Sequence, residues 1–306
     1  MSPSYPSKNE VNFALFCALL EARAPYLSNS MEKMQKQFGN DWQTELATDM
    51  AKLFTTKSKL DDAINGYIQF VLETARLQNQ FTKTGKYPVK THAAANERVF
   101  ANNNYMSKIY LPGVLLINYL WPHQYALKQH FTATFVKKLR SNNNSKFLDI
   151  GVGSGYFSRV ALTNALSAFG TGYDISRPAL EFAQNHMEYF DVGERWSGQQ
   201  IDILNGSLKL TWDFIMSIEI LHLFEEPVVL LNAIRDRLNK GGIAYITTAL
   251  NAAEADAVYI YRVPEEVEYH LTVSGFTIID RWKIAAPTPK SQTIVPYLVS
   301  YLVTLE

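Results

Sequence analysis

The chain has almost no cysteine and no surplus of positive charge. Cys17 is the single cysteine in 306 residues, so a disulfide-stapled scaffold is excluded. Lysine plus arginine number 29 and aspartate plus glutamate also number 29, which disfavours a nucleic-acid binder held by bulk charge. Long apolar runs are lacking too, since the run at 11–20 is about half the roughly 20 residues that a bilayer requires. No signal-peptide pattern begins the chain, so we expect a cytoplasmic protein that binds neither membrane nor nucleic acid.

The residues that are present predict a globular protein with a substantial core. Hydrophobic residues make up 47% of the chain and charged residues 19%, which excludes a disordered chain. Charge is distributed unevenly: residues 1–145 hold 17 basic and 10 acidic residues, a net charge of +7, whereas residues 146–306 hold 12 and 19, a net charge of −7. This asymmetry is explained either by ordinary solvated faces or by a cationic ligand held in the acidic second half.

The first 140 residues have the patterns of helices. Between Leu60 and Ala75, apolar residues recur at i, i+4 and i+7, which predicts one amphipathic helix. Pro112-Gly113 predicts a break between elements. Further helices are expected up to about Ala24, from the thirties to the mid-fifties, and from about His123 to Leu139.

A polar run at 141–145 separates this helical region from a different pattern. After it, short apolar runs alternate with helical stretches, which predicts a mostly parallel sheet covered on both faces. Strands are expected at Phe147–Ile150, Thr171–Ile175, Phe214–Ile218 and Ile243–Thr248, and helices at Tyr156–Phe169, Pro178–Phe190 and Pro227–Leu238. Two last runs, 276–284 and 297–305, predict an antiparallel hairpin at one sheet edge. The expected architecture is an α/β domain at 141–306 with an all-helical cap at 1–140.

A glycine-rich loop follows the first of these strands. Asp149 precedes the alternating glycines Gly151, Gly153 and Gly155, and a helix follows them. Glycine permits positive φ in a tight turn and lets the backbone approach a ligand closely. The next strand ends at Asp174, 19 residues after Gly155, where a carboxylate suits the two hydroxyls of a ribose. These features together predict a ligand that contains a nucleoside.

The spacing of the loop differs from other nucleotide-binding patterns. The third glycine of a dinucleotide fingerprint and the Lys-Ser/Thr pair of a phosphate-binding loop are both missing. The arrangement resembles class I (Rossmann-like) S-adenosylmethionine-dependent methyltransferases, over about residues 130–306. The resemblance implies S-adenosylmethionine as the cofactor. The cofactor-binding residues that it implies are Asp149, Gly151, Gly153, Gly155, Asp174 with Ile175, Asp202 with Ile203, and Ser217 and Glu219 on the stretch Trp212–His222.

Aromatic residues are concentrated between Tyr105 and Tyr125. Five occur in this 21-residue segment, where the chain average of 39 in 306 gives about 2.7. Their rings could form helix-packing core, or they could attract the sulfonium of the cofactor. We expect Tyr110 to be the first wall residue of the catalytic site and Tyr105 the second.

Other candidates for the acceptor side follow the later strands. His222 comes after the fourth strand and is the expected general base, although a buried histidine satisfied by the backbone is an alternative role. His123 is a weaker candidate for the same role. The insertion Asn251–Tyr261 after the fifth strand, which contains Tyr259 and Tyr261, could form a second wall.

Several methyltransferase subclasses are disfavoured by the residues after the fourth strand. The polar-Pro-Pro-aromatic turn of DNA adenine methyltransferases is missing, and the glutamates near Glu225 are too close together for a protein arginine methyltransferase. The carboxylate cluster of metal-dependent catechol-type enzymes is not recognisable, so no metal is expected. Methyl transfer to a small-molecule acceptor is the first expectation. The open alternatives are a cyclase that acts on the cofactor itself, as azetidine-2-carboxylate synthases do, and a non-catalytic S-adenosylmethionine-binding subunit.

The apolar run at 11–20 could serve a homodimer or the core of the chain.

Overall fold

In the computed structural model, which describes residues 11–87, 91–205, 209–288 and 292–305, seven strands form one sheet. They are β1 (Lys146–Ile150), β2 (Phe169–Asp174), β3 (Trp196–Gln200), β4 (Trp212–Ser217), β5 (Leu238–Leu250), β6 (Thr277–Ala285) and β7 (Tyr297–Thr304). Their order across the sheet is β3-β2-β1-β4-β5-β7-β6. Strand β7 is antiparallel to both of its neighbours, and the other pairs are parallel. This confirms the predicted mostly parallel sheet with an antiparallel C-terminal pair.

The strand order reverses direction at β1. From this central strand the chain proceeds outward to β2 and β3 on one side, and then returns to β4 and β5 on the other side. The two crossovers leave a crevice at the carboxyl ends of β1 and β4, which is where open α/β sheets bind their ligands.

Twelve α-helices are present in the described part of the chain. They are α1 (Phe13–Arg23), α2 (Ser28–Leu53), α3 (Lys57–Thr84), α4 (His92–Ala95), α5 (Asn103–Tyr105), α6 (Leu111–Leu120), α7 (Pro122–Phe131), α8 (Lys137–Arg140), α9 (Tyr156–Asn164), α10 (Arg177–Tyr189), α11 (Pro227–Arg235) and α12 (Pro264–Val273). Three π-helical turns at Asn96–Phe100, Met106–Tyr110 and Thr132–Val136 join neighbouring helices. Everything regular before β1 is therefore helical, as the sequence predicts.

Helix α3 contains the predicted amphipathic stripe. Leu60, Ile64 and Tyr67 are buried in the core, but Ala75 at the end of the predicted stripe is exposed. The buried face continues through Leu77 and Phe81 instead. The physical reason is that larger side chains fill the space against the cap, so a single alanine contributes little apolar area.

The predicted break at Pro112-Gly113 is wrong. Both residues lie in the first turn of α6, which continues directly from the π-helical turn before it. Proline is tolerated in a first turn because its missing N–H is not needed there. A Cβ on Gly113 would lie 2.4 Å from Cγ of Phe70, so this glycine permits the close packing of α6 on α3.

Strand β3 is not among the predicted strands. It consists of Trp196 followed by four exposed residues, at the outer edge of the sheet. An edge strand with one buried residue shows no apolar run and no clear alternation, so its sequence lacks a strand signal. The predicted helix from Tyr156 is also shorter than expected, because it ends at Asn164 and β2 already begins at Phe169.

A buried ion pair connects the cap to the sheet domain. The guanidinium of Arg159 on α9 contacts Oδ2 of Asp49 on α2 at 2.8 Å and the hydroxyl of Tyr119 on α6 at 2.7 Å. Tyr119 in turn donates to Asp49 at 2.7 Å. The side chains of the ion pair are 7% and 8% exposed, so a buried charged network connects α2, α6 and α9.

The apolar run at 11–20 contributes to the core of the chain itself. Phe16, Leu19 and Leu20 on α1 are buried in one cluster with residues of the sheet such as Phe147 and Met216. Among the described residues, no helix combines the length and apolar character needed to cross a bilayer.

Candidate active site

A cavity lies at the carboxyl ends of β1, β2 and β4, under the helical cap. Its floor is formed by the loops that follow these strands, and its roof by apolar side chains of the cap: Phe70, Phe100, Met106, Tyr110, Val114 and Ile117. Six of the described residues that line the cavity are acidic, and no described lining residue is a lysine or an arginine. The cavity is therefore electrostatically suited to a cationic ligand.

The glycine loop forms one end of the cavity. Gly151, Gly153 and Gly155 have φ values of 72°, 51° and 72°, in the left-handed region that other residues rarely adopt. A Cβ on Gly153 would meet no atom closer than the carbonyl oxygen of Gly151, at 4.0 Å. The backbone at Gly153 therefore borders open space, whereas a Cβ on Gly151 would collide with Ile220. Gly155 does not line the cavity, because it packs against α10.

Asp174 closes the loop from the side of β2. Its Oδ2 accepts a hydrogen bond from the Gly153 N–H at 3.1 Å, and its Oδ1 accepts one from the Ser176 N–H at 2.8 Å. Burial raises the pKa of this carboxyl to about 6, against the lowering effect of these N–H donors. An ionised carboxylate has about four acceptor positions, so Asp174, which lines the cavity, keeps capacity to accept a ribose hydroxyl.

Asp149 lies under the loop. Its Oδ2 accepts from the Ser158 hydroxyl at 2.7 Å, and Asp149 is 4% exposed. Burial raises the pKa of Asp149 to about 7, and the charge of Asp174 contributes. Asp149 therefore borders the cavity as a carboxyl that is easily protonated.

The far side of the loop carries the residues expected around the adenosine. Ile175 and Asp202 line the cavity and are exposed, while Ile203 lines it and is buried. Oδ1 of Asp202 accepts from the Leu204 N–H at 2.9 Å, which orients the carboxylate. The structure thus brings the predicted pairs Asp174 with Ile175 and Asp202 with Ile203 together at one end of the cavity.

The two residues predicted after β4 have different environments. Ser217 is fully buried, and it is not among the described lining residues of the cavity. Glu219 does line the cavity and has a φ of 58°, a strained conformation for a residue other than glycine. Its N–H donates to Oγ1 of Thr247 at 2.9 Å, and the same hydroxyl donates back to Glu219 Oε1 at 2.7 Å. Burial raises the pKa of Glu219 to about 7.

Of the two predicted tyrosines, only Tyr110 lines the cavity. Its hydroxyl donates to Oδ2 of Asp256 at 2.5 Å, and its ring makes edge contacts with Phe70 and Phe100. Tyr105 lies behind it, with 6.4 Å between the ring centroids, and donates to Glu73 at 2.5 Å. Tyr110 is therefore placed as a wall residue and Tyr105 as support for it.

His222 faces the same region of the cavity. It is 3% exposed, and burial lowers its pKa, so the imidazole is neutral at neutral pH. Nδ1 lies 3.3 Å from the hydroxyl oxygen of Thr248. The backbone carbonyl of His222 accepts from the N–H groups of Val258 and Tyr259, both at 2.9 Å, which fixes the loop after β5 against it.

That loop delivers two carboxylates which the sequence-based reasoning missed. A ring nitrogen of His222 and one carboxylate oxygen from each of Glu254 and Asp256 all lie within 4.8 Å of one another. Gln78 of α3 places the loop, since its side chain bonds to the Asn251 carbonyl and to the Ala253 N–H at 3.0 and 2.8 Å. Burial raises the pKa of Glu254 above its ordinary value, and the charge of Asp256 adds to this effect.

The insertion Asn251–Tyr261, expected as a second wall, lines the cavity through these two carboxylates and not through Tyr259 and Tyr261. Tyr261 is fully buried and its hydroxyl contacts Nδ1 of His270 at 2.9 Å, away from the cavity. His123 lies outside this cavity as well and stacks on Trp121. Tyr261 forms an isolated bridge with Leu250 and reaches His270 on α12, a long-range placement that its sequence position alone does not reveal.

The same region is recognised by comparison with protein families. A family described as a methyltransferase domain matches residues 121–276, which is about half of the chain. The chain belongs to this methyltransferase family. The cofactor of the family is S-adenosylmethionine, as the sequence motifs predict.

Solved structures show the same fold. An O-methyltransferase family protein from Burkholderia thailandensis matches with a TM-score of 0.55 at 12% identity, over 79% of this chain and 71% of that one. The cyclase SpnF matches with a TM-score of 0.51 at 14% identity, over 72% of this chain and 98% of that one. N-methyltransferase NodS from Bradyrhizobium japonicum, in complex with S-adenosyl-L-homocysteine, has a TM-score of 0.48 at 17% identity, over 67% and 98%. No curated protein matches the chain.

The residues of this methyltransferase fit its cofactor. The open space at Gly153 lies beside the free lone pairs of Asp174, which is the pair of features that a ribose requires. S-adenosylmethionine has no phosphate, and the described lining residues include no lysine or arginine to hold one. Its sulfonium and ammonium suit the acidic lining.

Proposed function

We propose that this methyltransferase transfers the methyl group of S-adenosylmethionine to a small-molecule acceptor. The observation that carries the proposal is the shape of the cavity, which continues from the glycine loop to an apolar compartment under the cap. Nine residues of the cap region before β1 contribute to it, among them Phe70, Phe100 and Tyr110. A compartment roofed in this way supports an acceptor of small size rather than a macromolecule.

When bound, the cofactor supplies a methyl carbon that is already activated by the sulfonium. The protein then contributes mainly alignment and exclusion of water. In our proposal the Tyr110 ring, with Phe70 and Phe100 packed against it, provides an aromatic face toward that positive charge. Tyr105 supports this ring through its bond to Glu73 on α3.

We assign the proton transfer to His222. Its burial keeps the imidazole neutral, so a ring nitrogen can accept a proton from an acceptor O–H or N–H. The remaining proposed cofactor contacts are those of Asp174 with the ribose and of Asp202, Ile175 and Ile203 with the adenine. We assign Asp149 and Glu219 to the amino-acid end of the cofactor, whereas Ser217, the last residue of β4, is buried and does not line the cavity.

Mass spectrometry of the reaction products tests the proposal. The full chain is incubated with S-adenosylmethionine alone, and in parallel with a panel of small aromatic alcohols and amines. Formation of S-adenosylhomocysteine that depends on an added acceptor supports methyl transfer. Release of methylthioadenosine with a four-membered imino acid from the cofactor alone identifies a cyclase instead. Retained cofactor binding without any product identifies a binding subunit, and Asp174→Ala provides the background for all three measurements.

A further inference from the structure

Three hydrogen-bond acceptors converge at the acceptor end of the cavity without a positively charged partner. They are the imidazole of His222 and the carboxylates of Glu254 and Asp256. A ring nitrogen of the histidine and one oxygen of each carboxylate all lie within 4.8 Å of one another. Within the described part of the chain, no group donates a hydrogen bond to the Glu254 carboxylate, although this side chain is half-buried. The two carboxylates repel each other, and among the described residues only the Tyr110 hydroxyl donates to either of them, so a cationic ligand would stabilise both.

His222 provides independent evidence for a ligand at this position. It is 3% exposed, and Thr248 is the only hydrogen-bond partner of its ring among the described residues. One of its nitrogens therefore remains without a partner although the ring lines the cavity. In the tautomer in which Nδ1–H donates to Thr248, the other ring nitrogen is an acceptor that an N–H of a ligand can satisfy.

We propose that these three residues bind the primary ammonium of the reacting nucleophile, so that the enzyme acts on an amine. A primary ammonium has three N–H donors, one for each acceptor. With hydrogen bonds of about 2.8 Å in tetrahedral directions, the acceptors are about 4.6 Å apart, which the limit of 4.8 Å admits. A metal ion with bonds of about 2.1 Å would draw its ligands to about 3.0–3.4 Å from one another, which the same limit also admits, so metal binding is tested separately below.

The surroundings of the cluster also favour an ammonium. The rings of Tyr110, Phe100 and Phe224 line the same cavity, and aromatic faces attract organic cations. Tyr110 donates to Oδ2 of Asp256, which orients that carboxylate and leaves its other oxygen toward the cavity. The site is thus an anionic, aromatic pocket rather than a set of oxygen ligands open to water.

The reaction step follows from this placement and rests on the proposed function. The bound ammonium gives one N–H proton to His222 or to Glu254, which leaves a neutral amine with a lone pair. That lone pair forms the new N–C bond while the C–S bond breaks, and the electron pair of the C–S bond becomes a lone pair on sulfur. The amine can belong to a separate acceptor, which gives an N-methylated product, or to the cofactor itself, which gives a ring.

Binding measurements test the ammonium site without requiring turnover. The full chain is saturated with S-adenosyl-L-homocysteine and titrated by calorimetry with benzylamine and with benzyl alcohol, which differ in the amine. We expect benzylamine to bind at least about tenfold more tightly, because a charge-assisted hydrogen bond contributes more than a neutral one. Glu254→Gln, which removes no hydrogen bond within the described structure, should abolish the difference. Asp256→Asn should do the same, and Asp213→Asn, at an exposed carboxylate outside the cavity, should leave it unchanged.

The cofactor's own amine is the second source of the same chemistry. In that case benzylamine does not bind to the loaded protein, and Glu254→Gln weakens S-adenosyl-L-homocysteine by about tenfold to a hundredfold. Binding of methylthioadenosine, which lacks the amine, should then be unchanged. Either pattern supports the ammonium site, even if no methyl transfer is found.

Three results would overturn the proposal. One is equal affinity for benzylamine and benzyl alcohol together with unaltered S-adenosyl-L-homocysteine binding in both cluster variants. Another is tight binding of Mn²⁺ that the same variants abolish, since this would identify a metal site. The third is an unfolded Glu254→Gln variant by circular dichroism, combined with normal ligand preference in Asp256→Asn.

Discussion

Lowering the pH should weaken cofactor binding through Asp174. The burial of this carboxyl raises its pKa to about 6, within the range in which the folded protein can be studied. In its ionised form each oxygen already accepts one backbone N–H, at 3.1 and 2.8 Å, and has a lone pair left for a ribose hydroxyl. Protonation turns one of these acceptors into a donor, so the protonated form cannot accept both hydroxyls.

The size of this loss of cofactor affinity follows from the pKa of Asp174. If only the ionised form binds, the apparent Kd is multiplied by 1 + 10^(pKa − pH), which is about 1 at pH 8, about 2 at pH 6 and about 11 at pH 5. The cofactor affinity therefore has its full value above pH 7 and decreases as the pH falls through 6. The contribution of Asp174 to folding stability has the opposite sign. Its folded pKa is raised above the unfolded value, so protonation at low pH stabilises the unliganded fold.

Calorimetric titration with S-adenosyl-L-homocysteine at intervals from pH 8 to pH 5 measures the effect. Asp174→Asn should bind about tenfold to a hundredfold more weakly at pH 8, because a charge-assisted pair of hydrogen bonds is lost. It should also lack the decline below pH 6. Asp213→Asn, at an exposed carboxylate outside the cavity, is the matched control and should titrate like the wild type. A constant wild-type affinity down to pH 5, or the same decline in Asp174→Asn, would refute the assignment of the ribose site.

Further predictions concern the loop, the cap and the aromatic wall. Gly153→Ala and Gly85→Ala each place a side chain at positive φ without a close contact. Denaturant unfolding should therefore show a loss of about 1–2 kcal/mol of stability in both variants. Only Gly153→Ala should weaken cofactor binding. Asp49→Ala leaves a buried guanidinium unpaired and should cost about 3–5 kcal/mol, whereas Asp61→Ala, in a partly exposed ion pair, should cost at most about 1 kcal/mol. Tyr110→Leu should lower turnover by about 2- to 30-fold with a nearly unchanged melting temperature, and a normal rate constant would remove this ring from the site.

The parts of the protein that depend on consecutive residues could be predicted from the sequence. Asp149, the alternating glycines and Asp174 are specified by the turn geometry between a strand and the next helix, which is a local property of the backbone. The mostly parallel sheet with its antiparallel end follows from apolar runs whose burial is almost complete in the central strands. These same local features also predict the cofactor.

The features that depend on packing between distant segments were decided only by the tertiary structure. Strand β3 has one buried residue, so it forms because β2 offers a free edge rather than because its own sequence favours a strand. Asp256 and His222 are 34 positions apart, and they meet because Gln78 of α3 and the His222 carbonyl hold the loop after β5 in place. Side-chain direction in a loop depends on such long-range hydrogen bonds. The glycine loop was therefore predictable from its residues, whereas the acidic end of the cavity was not.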